Sequence, residues 1–404
     1  MNTNSLSLLE EELEELRAKD LYRELRTLET KSGAGVNVDG ARAKLDGREV
    51  ILFCGNDYLG LSRHPRVIAA AKKAADRYGI GSGAARLISG TSPLHRQLEE
   101  TLARWKKKER ALLFTTGYLA NLGILTAFAR AGDLIVMDKY CHASLVDGAR
   151  LSGAAVRVFP HKNYSRCREI LEKSSGFRRR LLVTDTVFSM DGDLADLGEL
   201  VRIKEKFGCL LVADDAHGTG VLGLEGRGGA EDSGLECKID IVMGTLSKAL
   251  GSLGGFAAAS GTLIEYLINF SRPFIFATSL PPLLCAAALE SLAVLKEEPE
   301  IRRRLWRNIQ KIQEGLAASG FETGPIQSPI FPIMIGEAGA ALEASRSLLK
   351  EGILVPAVRY PTVPKGKARL RLTISAVHRE EDIKALFKAF PVIKKGAFDR
   401  QVVA

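Results

Sequence analysis

A chain of 404 residues, 46% hydrophobic and 26% charged, is long enough to bury a large core without disulfide staples. Its six cysteines include no CxxC pair, so they read as reduced thiols rather than a disulfide or zinc framework. The net charge of +9 suits an anionic ligand, whereas the densest basic clusters, Arg178-Arg179-Arg180 and Arg302-Arg303-Arg304, lack interleaved aromatics and speak against nucleic acid.

The first 20 residues are rich in Glu and Leu, with neither a basic start nor an apolar block. No targeting signal is expected. No apolar run approaches ~18 residues, so no membrane span is expected either. These features predict a cytoplasmic protein.

In chain order, leucines 9, 13, 16, 21, 25 and 28 predict an amphipathic helix over 7–29. A small-residue turn follows over 32–40. A short strand over 49–54 ends at the polar turn 55–60. From about 65 to 290, helical stretches alternate with apolar runs at 111–114, 134–137, 156–159, 181–187, 210–213 and 241–243. Helices are expected at 118–130, 196–207 and 261–270. This alternation predicts an α/β domain around a mainly parallel sheet. Beyond 291 the pattern changes to a charged helix (297–317), strands at 329–335, 353–358 and 368–374, and a helix near 338–350. The expected division is 1–55 as an N-terminal helix and strand segment, 56–290 as a large α/β domain, and 291–404 as a smaller α+β domain.

Five groups of residues carry candidate chemistry. Thr245-Leu246-Ser247-Lys248 follows a strand. A lysine at a strand end, among hydroxyls and glycines, suits a Schiff-base nucleophile; a surface lysine in a turn is the plainer alternative. Asp214-Asp215-Ala216-His217 also follows a strand, where α/β proteins place ligands. One of its carboxylates could hold a pyridine nitrogen protonated, and His217 could reach the ring's phenolic oxygen. A metal pair is the alternative, but no third ligand stands at a metal-like spacing, so no metal is expected. Gly117 and Tyr118 open a helix whose N-terminus suits a phosphate, although an ordinary cap would explain them equally well. His142 follows a strand and could stack on a flat cofactor or serve a structural hydrogen bond. Arg369, Arg371 and Thr373 alternate with leucines and so share one strand face. They form either a carboxylate clamp or an exposed polar face.

The order of these groups, from phosphate-binding glycine to carboxylate-binding arginine, resembles the aspartate-aminotransferase-like class (fold type I) of pyridoxal-phosphate (PLP) enzymes. More narrowly, Asn56-Asp-Tyr-Leu-Gly-Leu-Ser62, Gly79-Ile-Gly-Ser-Gly83, Ser89-Gly-Thr91, Phe188-Ser-Met-Asp-Gly192, Asp214-Asp-Ala-His-Gly-Thr-Gly220 and Gly226-Arg-Gly228 resemble the α-oxoamine synthases over about residues 20–390. The stretch Pro361-Thr-Val-Pro364 with Ala368-Arg-Leu-Arg-Leu-Thr373 is most similar to the branch of that family that makes 8-amino-7-oxononanoate.

The resemblance implies a homodimeric, cytoplasmic acyltransferase of biotin biosynthesis that uses PLP. Its substrates would be L-alanine and an acyl-CoA or acyl-carrier-protein thioester. The alternative within the family is glycine with acetyl-CoA. The implied cofactor residues are Gly117, Tyr118, His142, Ser189, Asp214, His217, Thr245 and Lys248, with Thr278 and Ser279 facing the partner's cofactor phosphate. Lys248, His142, Asp214 and His217 would be catalytic. Arg23, Asn56, His142, Thr362 and Arg371 would contact substrate. The sequence departs from the branch at Thr184-Asp185-Thr186, which often reads Thr-Glu-Gly there, and at Gly83-Ala-Ala-Arg86.

Overall fold

The computed structural model describes residues 5–29, 41–321, 324–325 and 327–393. The chain divides into two compact units, residues 56–304 and residues 1–55 with 305–404.

The larger unit is built on a seven-stranded sheet. Its order is Arg110–Phe114, Gly255–Ala259, Ile241–Thr245, Leu210–Asp214, Arg180–Asp185, Leu134–Asp138, Ala155–Phe159. The last five are mutually parallel, as the alternating pattern predicts, and Gly255–Ala259 runs antiparallel to both of its neighbours. That strand was not read from the sequence. Its Gly-Phe-Ala-Ala-Ala lacks the β-branched residues that mark strands, yet every position is buried.

The apolar runs are continuous because both sheet faces are covered. Successive residues turn to opposite faces. Ile135, Met137, Leu181, Val183 and Val212 enter one core cluster, while Leu134, Val136, Leu182, Leu211 and Ala213 enter the other.

Four of the parallel strands end on a polar residue: Asp138, Asp185, Asp214 and Thr245. The carboxyl ends of parallel strands are where open α/β sheets bind ligands. The apolar run 181–187 therefore stops being strand at Asp185. Close approach of backbone shapes this edge. A Cβ on Gly255 would lie 2.6 Å from Gly117 Cα and from the Thr116 carbonyl oxygen. Only glycine lets the Gly255–Ala259 strand meet the N-terminus of the Gly117–Phe128 helix.

The smaller unit joins both ends of the chain. Arg48–Leu52 pairs antiparallel with Arg42–Leu45 and parallel with Ile353–Leu354. Residues 1–55 are thus not a segment apart, because hydrogen bonds from Ile51 N to Gly352 O (2.8 Å) and Phe53 N to Leu354 O (3.0 Å) tie them to the C-terminal part. The boundary falls at 304/305 rather than 290, within the helix Pro299–Ala318.

Two further expectations are corrected here. The N-terminal helix is Ser5–Ala18, not 7–29. Asp20 takes a positive φ of 54° that ends it, and Leu28–Glu29 pairs as a strand with Arg42–Leu45. The strand expected over 353–358 is two, Ile353–Leu354 and Ala357–Val358, parted at Pro356, which has no N–H for a ladder. The turn expected over 32–40 lies outside the described residues. No described helix is long and apolar enough to cross a membrane.

Gly255→Ala is expected to cost roughly 2 kcal/mol or more, since the new methyl meets backbone rather than a yielding side chain. Denaturant unfolding would measure the loss, and an unchanged midpoint would show that the contact at Gly117 yields.

Candidate active site

A cavity of about 150 Å³ opens at the carboxyl ends of the central strands, with Lys248, His217, Asp214, His142 and Gly117 in its wall. These five residues come from four separate stretches of sequence, and the sheet brings them together. Tyr118 and Thr245 also line the cavity.

Lys248 lies in the turn after Ile241–Thr245. That turn is anchored by the Thr245 hydroxyl donating to the Gly254 carbonyl (2.9 Å). Gly251 is required there: its φ is +60°, and a Cβ would lie 2.1 Å from Ser62 N. Lys248 Nζ is 2.9 Å from His217 Nε2, and His217 Nδ1 is 2.7 Å from the buried Tyr58 hydroxyl. Tyr58 in turn reaches Asn56 Oδ1 at 3.2 Å. A hydrogen-bonded line therefore runs from the lysine amine through an imidazole to a phenol.

Asp214 is held from two sides. Its Oδ2 accepts from Asn121 Nδ2 (2.6 Å) and its Oδ1 from the Ala216 backbone N–H (2.9 Å). Asn121 also donates to the Ser144 hydroxyl at 2.9 Å. Its carbonyl oxygen, Oδ1, is buried with no hydrogen-bond partner among the described residues. Such an atom is costly unless a donor fills the space beside it.

His142 caps the helix Ala143–Leu151. Its backbone N–H donates to Asp185 Oδ2 at 3.0 Å, and its Nδ1 accepts from the Ser144 N–H at 3.3 Å. That acceptor role leaves the ring proton on Nε2. Burial lowers the His142 pKa, with Asp214 opposing, so the ring is neutral at neutral pH. Asp185 is fully enclosed, and burial followed by the charge of Asp214 pushes its carboxyl well above the usual range.

Gly117 and Tyr118 begin their helix directly after the cap Thr116, whose hydroxyl accepts from Leu119 N at 3.1 Å. The earlier N–H groups of the first turn have no intrahelical acceptor and suit an anion. The Tyr118 hydroxyl donates to Asp147.

The remaining expected residues lie outside this wall. Ser189 is in the turn closed by Gly192 N to Phe188 O (2.8 Å). Thr278 is exposed, while Ser279 is buried with its hydroxyl 2.9 Å from His95 Nε2. Arg23, Thr362 and Arg371 belong to the smaller unit. Arg369 and Arg371 are 2% and 6% exposed within the wholly buried strand Ala368–Thr373, which removes the exposed-face alternative. The basic clusters are also engaged: Arg178 grips Asp133 with two hydrogen bonds (3.0 and 2.7 Å), and Arg179 donates to the Phe128 carbonyl.

Sequence reasoning missed Asn121 and Lys106, and it gave no individual role to Tyr58 or Asp185 although both stand in stretches it singled out. Asn121 had a signal: it is one helical turn from Gly117 and is a carboxamide in an otherwise apolar stretch. Lys106 had none. Its ammonium is buried and donates to Asp215 Oδ2 (2.8 Å), Thr219 Oγ1 (2.8 Å) and the Arg227 carbonyl. Asp215 also accepts from the Thr186 hydroxyl (2.6 Å) and Gly229 N (3.0 Å). The second acid of the pair is therefore a fastening for the turn, directed away from the cavity.

Residues 48–390 match the model of the family Aminotransferase class I and II. The 8-amino-7-oxononanoate synthase of Geotalea daltonii is 49% identical over 92% of this chain and 94% of its own. That of Thermoanaerobacter pseudethanolicus is 43% identical over 97% and 98%. Among solved structures, a serine palmitoyltransferase from S. paucimobilis with bound PLP-myriocin aldimine superposes with a TM-score of 0.91. It is 32% identical, covering 98% of this chain and 99% of that one.

Lys106→Met should cost about 3–5 kcal/mol in denaturant unfolding, because it strands a buried carboxylate. Lys106→Met with Asp215→Asn should recover part of that loss; no recovery would mean that the ammonium acts through its other two acceptors. A second expectation concerns pH. His161 sits between Asp138 (2.9 Å) and Asp193 (3.0 Å), and although burial opposes charging, those carboxylates raise its pKa to about 9. The raised value means stability present in full below the unfolded pKa of about 6.5 and lost as pH rises through about 9. The melting-temperature gap between wild type and His161→Gln should therefore shrink from pH 6 to pH 10, and a gap constant with pH would exclude the charged pairing.

Proposed function

The chain belongs to the aminotransferase class I and II family, and from that premise we propose that it is a PLP-dependent acyltransferase. It condenses L-alanine with the thioester of pimeloyl-CoA or a pimeloyl carrier protein. The products are 8-amino-7-oxononanoate, the free thiol carrier and CO2, a cytoplasmic step of biotin biosynthesis. The 43% and 49% identical relatives named for this reaction favour it over the serine palmitoyltransferase reaction, whose structure is more distant in sequence.

The observation that carries the reading is the single cavity wall holding an amine, a buried carboxylate and a helix N-terminus. These fit the three ends of PLP. The first-turn N–H groups at Gly117 and Tyr118, with the Thr245 hydroxyl, would hold its phosphate. Asp214 would hold a proton on its ring nitrogen, and Lys248 would join its aldehyde carbon. The unpartnered Asn121 Oδ1 is a further sign that a group with a donor belongs there. The flat, neutral His142 would lie on the ring, and Ser189 and His217 would meet its phenolic side.

When bound, PLP supplies the electron sink for the negative charge left on the amino-acid Cα. The protein's own part is proton handling and orientation. Lys248 Nζ removes the alanine Cα proton and later returns one. His217, 2.9 Å away and fixed by Tyr58, orients that amine and can accept its hydrogen bond. His142 Nε2–H can donate to the thioester oxygen as negative charge develops on it. Asp185, whose charge burial disfavours, fixes the start of the His142 turn by accepting from the His142 backbone N–H.

Asn56, Arg23, Thr362 and Arg371 would contact substrate. In support, the smaller unit has a pocket of about 660 Å³ whose lining includes Arg17, Arg23, Arg26, Arg346 and Arg359, against the acids Asp20 and Glu24. Burial first, then the like charge of Arg23, lowers the Arg359 pKa. Cations crowded in this way favour an anionic occupant, such as a substrate that carries a carboxylate or phosphates. The enzyme would work as a homodimer, with exposed Thr278, and Ser279 beside it, directed to the partner's cofactor phosphate.

Lys248→Ala should abolish the visible absorbance of lysine-bound cofactor and lower CoA release by about 10²-fold or more. Normal turnover would refute the role. Wild type should release CoA fastest with alanine and pimeloyl-CoA, ahead of glycine with acetyl-CoA or serine with palmitoyl-CoA. A faster glycine arm would reassign the substrates and leave the site chemistry standing. Arg23→Ala should raise KM for pimeloyl-CoA more than it lowers kcat; an unchanged KM would remove Arg23 from the substrate site.

A further inference from the structure

The N-terminal helix Ser5–Ala18 has no buried residue. Leu6, Leu9, Leu13 and Leu16 recur at steps of three, four and three, which places them on one stripe. They are 59%, 55%, 42% and 37% exposed. A short helix gains little from propensity alone and depends on burying such a stripe. The same helix carries Glu10, Glu11, Glu12, Glu14 and Glu15 against one basic residue, Arg17.

The larger unit carries a groove of complementary character. Its volume is about 1130 Å³, and its walls are the helices Pro65–Tyr78, Pro93–Trp105 and Pro282–Glu297. Leu289 and Leu292 give it an apolar floor, and Leu224 at its lip is 86% exposed. Lys73, Arg77, Arg104 and Lys296 stand along it, and its other charged lining residues are Arg227 and Arg302 with the acids Glu225 and Glu290, so the cations outnumber the acids. The first four are exposed, and none of them forms an ion pair among the described residues. A helix of 14 residues is about 21 Å long, the same length as the 14-residue wall helix Pro65–Tyr78.

We propose that the N-terminal helix of one chain docks in this groove of a second copy, with its leucines on the apolar floor and its glutamates against the basic rim. Pairing of two such helices with each other is disfavoured, since it would set glutamates against glutamates. The groove instead supplies the opposite charge. The arm would thus add a contact to the homodimer proposed above.

The test is a cross-link between chains of the PLP-loaded enzyme. A tagged Leu13→Cys chain and an untagged Ala293→Cys chain are co-expressed, and the mixed dimers are oxidised. Leu13 is near the middle of the helix, so the result does not depend on which way the helix runs. A disulfide-linked pair of one tagged and one untagged chain is expected, with Ala70→Cys on the opposite wall giving the same product. Each single variant alone controls for the exposed native Cys237. A linked pair of two Leu13→Cys chains would overturn the proposal in favour of helix–helix pairing. Absence of any linked pair from both groove positions, in protein that light scattering shows to be dimeric and that turns over, would overturn it while leaving the proposed reaction intact. Charge reversal gives an independent reading. Lys73→Glu with Lys296→Glu should lower cross-linking at least fivefold, and Glu11→Lys with Glu15→Lys on the helix should restore it. Cross-linking unmoved by either pair would refute the electrostatic part.

Discussion

Two carboxylates leave the end of one strand in opposite directions, and each must be compensated in a buried setting. Asp214 turns into the cavity and is met by Asn121 and a backbone N–H. Asp215 turns away and is met by the ammonium of Lys106, two hydroxyls and a backbone N–H. A buried charge without such partners would neutralise itself. The division matters because a pyridine nitrogen stays protonated only beside a carboxylate that stays ionised. By fixing Asp215 elsewhere, the Lys106 cluster keeps a second free anion out of the cavity. Asp185 differs again, since burial, followed by the charge of Asp214, pushes its carboxyl above the usual range.

The architecture supplies the converging geometry. Parallel strands share a carboxyl end, so the polar residues that terminate them meet although they are many residues apart in sequence. The hydrophobic faces below them are interchangeable in kind; the last residue of each strand is not. Gly251 and Gly255 serve the same edge by letting backbone pack against backbone, which holds the lysine turn and the phosphate-binding helix start in register with the strand ends.

Much of this was legible in the sequence. The parallel strands stand out as apolar runs because they are covered on both faces, and five of the cavity-lining groups follow those runs directly. Strand Gly255–Ala259 was hidden because it is built of glycine and alanine, and its strand character comes from two neighbours rather than from propensity. Lys106 was hidden in a lysine triplet, Lys106-Lys107-Lys108, where only the fold distinguishes a buried ammonium from an exposed one. Tyr58 was visible within a motif, but its contact with His217 spans 159 residues. The N-terminal helix was overextended because leucines at 21, 25 and 28 continue a helical spacing. That spacing records apolar positions, and the left-handed turn at Asp20 interrupts the backbone without altering it.

That overextension bears on the unburied leucine stripe. Hydrophobic periodicity reports that a surface will be covered, not which surface covers it. In the central parallel strands the cover lies within the same unit, and pattern and burial agree; only at the edge strand Ala155–Phe159 does an apolar position, Val158, stay exposed. In the helix Ser5–Ala18 the same kind of pattern occurs with no burial in a single chain, so the chain carries an apolar instruction that it does not itself fulfil. Its five glutamates narrow the possible cover, because burial of the stripe brings them to the rim of whatever receives it. An anionic membrane surface or a second acidic helix would repel them, whereas the Lys73–Arg77 wall attracts them. The charge pattern thus adds direction to a hydrophobic effect that has none of its own.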